Sequence, residues 1–184
     1  MHIHFHARSP FDHFALLGLA PRFAIDLDVL EAAYKRVQAQ VHPDRFAAGS
    51  AAERRVAMQW ATQANEAYRA LRDDARRAAY LCERAGVPID AESNTAMPAA
   101  FLMQQLEWRE ALDEARATGQ GHADVRAQVD DARSATIAQL VAALDTTHDV
   151  PRAAALVRQL MFIDKFHADM LAADESPARD AVGG

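Results

Sequence analysis

The chain has a single cysteine, Cys82, among 184 residues. That scarcity excludes a disulfide framework and a Cys-x-x-Cys metal knuckle, and it fits a reducing compartment, so the cytoplasm is the expected location. Basic residues are also few: 20 Lys and Arg against 26 Asp and Glu leave a net charge of -6. Such a balance opposes a phosphate backbone, and nucleic acid is not an expected partner. No uninterrupted apolar run reaches the roughly 18 residues of a membrane span. The first residues show no basic region followed by an apolar stretch, so neither a membrane contact nor a signal peptide is expected. Seven glycines and seven prolines punctuate the chain, and strict polar–apolar alternation is almost absent, which argues against strands. What is present is a 51% apolar content, arranged at helical period. The expectation is an all-α protein.

Four helices are expected in the first half. One runs over 10–17, with Ser9 as its cap, Pro10 at its first position and Gly18 closing it. A second covers 28–41, where Leu30, Tyr34, Val37 and Val41 recur at spacings of four, three and four and form one apolar stripe, with Lys35 and Arg36 on the other face. The third, over 50–71, starts on a capping box made by Ser50 and Glu53 and would turn Val56, Trp60, Ala64, Ala67 and Leu71 inward. A fourth, over 74–85, carries Ala78, Leu81 and Cys82 and stops at Gly86 and Pro88. Three more follow, over 99–117, 122–144 and 151–172, joined by turns near Gly119 and Gly121 and near Asp149 and Val150. Such short connections favour an antiparallel bundle. The domains read as 9–86, a linker over 87–98 that is rich in turn residues, a three-helix bundle over 99–173, and a disordered tail over 174–184.

Between the second and third helices stands His42-Pro43-Asp44. Proline cannot continue the helix, because it lacks an N–H and clashes with the preceding turn, and it biases His42 toward an extended conformation. The corner is thereby partly ordered in advance of any binding event. Helix, rigid acidic corner and helix resemble a J domain, and more residues agree. They are Arg45 after the corner, Tyr34-Lys35-Arg36 before it, Asn65-Glu66-Ala67-Tyr68 with Leu71, and Arg76-Arg77 with Tyr80. The flanking helices are the context such a motif needs.

The remainder narrows the resemblance. Phe101 through Glu107, Arg109 through Glu114, Phe46-Ala47-Ala48-Gly49-Ser50 and Phe162-Ile163-Asp164-Lys165 are similar to the HscB family of J proteins, over about residues 11–171. The resemblance implies an L-shaped co-chaperone of iron–sulfur cluster assembly. It would carry the scaffold protein IscU to the DnaK-class chaperone HscA and stimulate the chaperone's ATPase, with no enzymatic activity of its own. It is expected to be a monomer. Lys35, Arg36, His42, Pro43, Asp44 and Arg45 would meet the chaperone. Leu102, Met103, Leu106, Glu107, Glu110, Glu114 and Phe162 would meet the scaffold.

Placing each residue about 100° from the last gives the fifth helix a compatible reading from its own sequence. Phe101, Trp108, Leu112 and Ala115 share one face. Leu102, Met103 and Leu106 lie on another, mixed with Glu107, Glu110 and Glu114. One of the two is left in water, as an apolar patch with an acidic rim of the kind that marks a partner site. In the last helix Leu156, Leu160, Ile163 and Met170 form the inward stripe and Phe162 falls outside it, where it would extend the patch. The plain alternative is that Leu102, Met103 and Leu106 complete a wide core stripe.

Several positions depart from the family pattern. Val41 stands where J domains commonly have an aromatic, Ala33 and Ala39 thin the positive charge of the second helix, and Gln104 and Trp108 replace expected Glu and Leu types. His2, His4 and His6 read as an extension rather than a metal site. One cysteine cannot hold a cluster, and no cofactor is expected. A metal hydrolase built from His42, Asp44 and His122 or His148 lacks any HExxH or carboxylate–histidine cluster. A general co-chaperone, whose bundle binds another client or dimerises, is the remaining alternative.

Overall fold

The structure is a computed structural model that describes residues 12–46, 48–89 and 97–174, except for the side chains of Pro43, Asp44, Ala173 and Asp174. All regular secondary structure among them is helical: α1 (His13–Leu17), α2 (Leu27–Val41), a 3-10 turn (Pro43–Phe46), α3 (Ala51–Arg72), α4 (Asp74–Arg84), α5 (Ala99–Thr118), α6 (His122–Val141), a π-helical turn (Ala142–Thr146) and α7 (Val150–Asp174). The chain divides into two compact units between Leu81 and Cys82. Most of the expected 87–98 linker, the expected tail after Asp174, and the His2, His4 and His6 segment lie outside the described residues.

In the first unit the helix starts are chemically explicit. Asp26 caps α2 by accepting from the Asp28 and Val29 amides. Ser50 caps α3 through the expected box, in which Glu53 N–H donates to Ser50 Oγ and Ser50 N–H donates to the Glu53 carboxylate. These bonds satisfy donors that a helix start leaves orphaned. At α1 the cap is Asp12, which accepts from Phe14 N–H, and not Ser9. The helix starts three residues later than the proline signal suggested. The core joins Phe14 and Leu17 to Leu30, Ala33, Ala67 and Leu71. Phe23 is also buried, and Arg77, itself 4% exposed, closes over it. Its guanidinium lies 4.8 Å from the Phe23 ring. Nε donates to Phe23 O and Nη1 to Leu71 O, each at 2.7 Å, and Nη2 pairs with Asp74 at 2.6 Å. A buried guanidinium persists only when its donors are met in this way.

Two expected core positions do not hold. Val56 is 51% and Trp60 38% exposed, and Ala57 takes the inward place. α3 turns small residues inward, Ala57, Ala64 and Ala67, where it packs against α1 and α2. A bulky side chain on that stripe would hold the helices apart, since their separation depends on the side chains at the contact.

The second unit is built on α5, α6 and α7. Phe101, Trp108, Leu112, Val125, Val129, Ile163, Phe166 and Met170 form one cluster, and Leu140, Leu156, Val157 and Leu160 are buried as well. Gly119 (φ 70°) and Gly121 (φ 91°) turn the chain from α5 into α6 in backbone conformations that cost other residues strain. The sixth helix ends in the π turn rather than continuing evenly to Leu144. His148 follows at φ 55°, with Nδ1 2.9 Å from Leu144 O.

Candidate functional site

α2 delivers the first surface. It ends at His42 (φ -60°, ψ 130°), the extended conformation that the following proline favours. The 3-10 turn then reverses the chain, with Arg45 N–H donating to His42 O and Gly49 N–H to Phe46 O. His42 is exposed, as are Lys35 and Arg36. Lys35 reaches Glu31 one turn back at 2.5 Å. Their hydrogen bond and mutual charge hold the Lys35 ammonium above, and the Glu31 carboxyl below, its ordinary pKa. Among the described residues Arg36, beside it on α2, makes no such ion pair. The side chains of Pro43 and Asp44 lie outside the described residues.

A polar clamp ties α2 to α3 beside this surface. Tyr34 Oη donates to Asn65 Oδ1 at 2.7 Å, and Gln38 Nε2 donates to the same oxygen at 2.6 Å and to Tyr34 Oη at 3.0 Å. The Tyr34 ring stacks on Tyr68 at 4.3 Å. Tyr34, Asn65 and Tyr68 stand out in the sequence, whereas Gln38 does not. Its only signal is a polar side chain one turn beyond Tyr34. Next to the clamp an apolar groove of about 560 Å³ is lined by Val37, Val41, Phe46, Val56 and Trp60, with Leu16 from α1. The two residues that the helical stripe wrongly turned inward lie here.

α5 delivers the second surface. Its inner side buries Phe101, Gln105, Trp108, Leu112 and Ala115. On its outer side Leu102 and Leu106 are each 49% and Met103 57% exposed. Glu107, Glu110 and Glu114 are exposed too, so apolar and acidic groups share the outer face. Phe162 is not the fully exposed residue that its place outside the α7 stripe suggested. It is half-buried against the core, its ring edge-on to Phe101 at 5.8 Å and stacked near Phe166 at 6.4 Å. Arg109 lies 6.0 Å over the Phe162 ring. An aromatic side chain is large enough to reach the core from the margin of the stripe.

Among the described residues no group of three or more His, Cys, Asp or Glu could hold a metal ion. Nor is any helix among the described residues long and apolar enough to cross a membrane. Cys82 is buried, and burial pushes its thiol up to about 11, far from thiolate chemistry at neutral pH.

The helical architecture and the His-Pro-Asp corner define a J-domain protein. Residues 97–170 match the family described as "HSCB C-terminal oligomerisation domain". The "Co-chaperone protein HscB homolog" of Bordetella petrii is 54% identical over 162 residues, which cover 88% of this chain and 95% of that one. The chaperone HscB from Vibrio cholerae has a similar structure, with a TM-score of 0.78 and 30% identity, over 90% of this chain and 98% of that one. Human co-chaperone protein HscB shares the fold at a TM-score of 0.83 and 22% identity, over 91% and 84% of the two chains. The chain belongs to the HscB co-chaperone family.

Proposed function

We propose that this protein brings the iron–sulfur scaffold IscU to the DnaK-class chaperone HscA and stimulates the chaperone's ATPase, without catalysing a reaction itself. The observation that carries the reading is the outer side of α5, where Leu102, Met103 and Leu106 are half-exposed within an acidic surround. Apolar side chains concentrated on one helix face lose water when a partner covers them, and each, being half-exposed, contributes about 1 kcal/mol before the costs of association. Glu107, Glu110 and Glu114 orient a partner that is basic around an apolar centre. Phe162, already half-buried, adds the edge of its ring.

At the other surface Arg36 and Lys35 meet an acidic face of the chaperone, and His42, Pro43 and Asp44 present the corner to it. Asp44 supplies a carboxylate for a cationic group. Acceleration of hydrolysis is allosteric: the corner binds one conformation of the chaperone better, and that difference in affinity sets how far the equilibrium moves. The test is the ATPase rate of HscA with this protein, with and without IscU. Stimulation by the protein alone, increased further by scaffold, is expected. Full stimulation by Asp44→Asn would overturn the role of the corner.

A second reading is favoured by the wording of the matched family, an oligomerisation domain. In it the α5 strip joins two copies of the chain. Sedimentation of the protein alone separates the two: a monomer that forms a 1:1 complex with scaffold supports the first reading, and a dimer dispersed by scaffold-free Leu102→Ala supports the second.

A further inference from the structure

We propose that Arg45 is a positioning residue: its guanidinium supplies the hydrogen-bond donor that Pro43 removes from the end of α2, and so fixes the path on which the corner leaves the helix. The inference rests on the corner being the chaperone-stimulating device.

In an α-helix each carbonyl accepts from the amide four residues on. For Ala39 that residue is Pro43, which has no N–H to give. The Ala39 carbonyl belongs to the last turn of α2, the negative end of the helix dipole, and that turn contains no basic residue to compensate. Arg45 Nη1 donates to this same oxygen at 3.0 Å. The Arg45 backbone N–H donates to His42 O, also at 3.0 Å.

One residue therefore grips the helix end twice, once through its main chain and once through its side chain. The backbone of Pro43 and Asp44 runs between the two attachments. A guanidinium suits the task, being permanently charged, planar and able to make a strong charge-assisted bond to a carbonyl. The far side of the corner is held independently, by the Ser50–Glu53 box and by Arg54 Nη1 donating to Gly49 O. With both ends fixed, the backbone path from His42 to Asp44 follows from the Arg45 attachment. Arg45 thus differs from Arg36, whose charge is directed at the chaperone.

The experiment uses the full chain, carbonyl-labelled for NMR, in four forms: wild type, Arg45→Ala, Pro43→Ala and the double variant. In the wild-type background Arg45→Ala is expected to move the Ala39 carbonyl resonance toward the position of a carbonyl without a strong donor. In the Pro43→Ala background, where residue 43 regains its N–H, the same change is expected to leave it in place. A resonance that does not move in the first case, or moves equally in both, overturns the proposal. The functional readout is ATPase stimulation of HscA across a salt series. Arg45→Ala is expected to weaken half-maximal stimulation about fivefold, the population factor carried by one net hydrogen bond, while keeping the wild-type salt dependence. A salt dependence flattened as in Arg36→Ala would show direct charge contact and overturn it. Should wild type fail to stimulate HscA at all, the functional reading falls, while the carbonyl comparison still decides the hydrogen bond.

Discussion

His13 is stacked on Tyr80 with ring centroids 4.4 Å apart. Its backbone N–H donates to Tyr80 Oη at 3.0 Å, and its Nδ1 is buried without a hydrogen-bond partner. Burial holds the imidazole below its ordinary pKa of 6.5, against the opposing pull of Glu66 and Asp12. The folded state therefore prefers neutral His13. Its contribution is complete above pH 6.5 and declines as pH falls below that value toward the lowered folded pKa, because the unfolded chain then binds the extra proton. Urea midpoints should drop between pH 7 and 5, and His13→Phe should flatten that part of the profile. An unchanged slope in the variant would place the titration elsewhere. Arg77 makes a larger demand on its surroundings. Arg77→Leu removes the donors to the carbonyls of Phe23 and Leu71 and the ion pair with Asp74, and a loss of about 3–5 kcal/mol is expected in urea unfolding. Arg76-Arg77 is visible as a motif in the sequence, but which of the two turns inward is not. Helical spacing assigns faces to apolar residues, whereas a buried cation is decided by which carbonyls lie within its reach.

At the scale of elements, capping chemistry made α3 legible almost to the residue, since Ser50 and Glu53 bind each other locally and need no tertiary context. The inward face of α3 was less legible. Val56 and Trp60 carry the stronger hydrophobic signal, yet the inward place falls to Ala57, beside the expected Ala64 and Ala67. Side-chain size and helix separation are a property of the pair, which neither helix encodes alone. Helical spacing divided α5 into two faces but left open which of them the bundle buries, and the structure buries the side of Phe101 and Trp108 and exposes Leu102 and Leu106. Leu102→Ala combined with Leu106→Ala should therefore cost folding little, within about 0.5 kcal/mol per site as for surface positions. Scaffold affinity should fall at least about tenfold, the factor that 1.4 kcal/mol of lost burial commands. Circular dichroism and calorimetric titration of the same sample test both. Loss of helicity would mean that the leucines serve the core.

For the whole molecule, the net charge of -6 conceals an uneven distribution: Glu31 neutralises Lys35 on α2 and leaves the charge of Arg36, whereas Glu107, Glu110 and Glu114 are exposed together on α5. Fields of this kind act chiefly on encounter rates and fade at separations beyond about 8 Å in physiological salt. Glu110→Gln with Glu114→Gln should slow scaffold association several-fold at low ionic strength, leave dissociation nearly unchanged, and lose its effect in high salt, as stopped-flow mixing can measure. A change confined to dissociation would assign these carboxylates to direct, dehydrated contacts. The two tryptophans fall in separate units: Trp108 is sealed at 1% exposure, while Trp60 stands 38% exposed at the groove near the corner. Nature has thus fitted the chain with a pair of optical gauges. Red-edge excitation singles out the hydrated indole, so its emission colour can register a chaperone's arrival, while the bluer signal of the enclosed one certifies that the bundle is still intact.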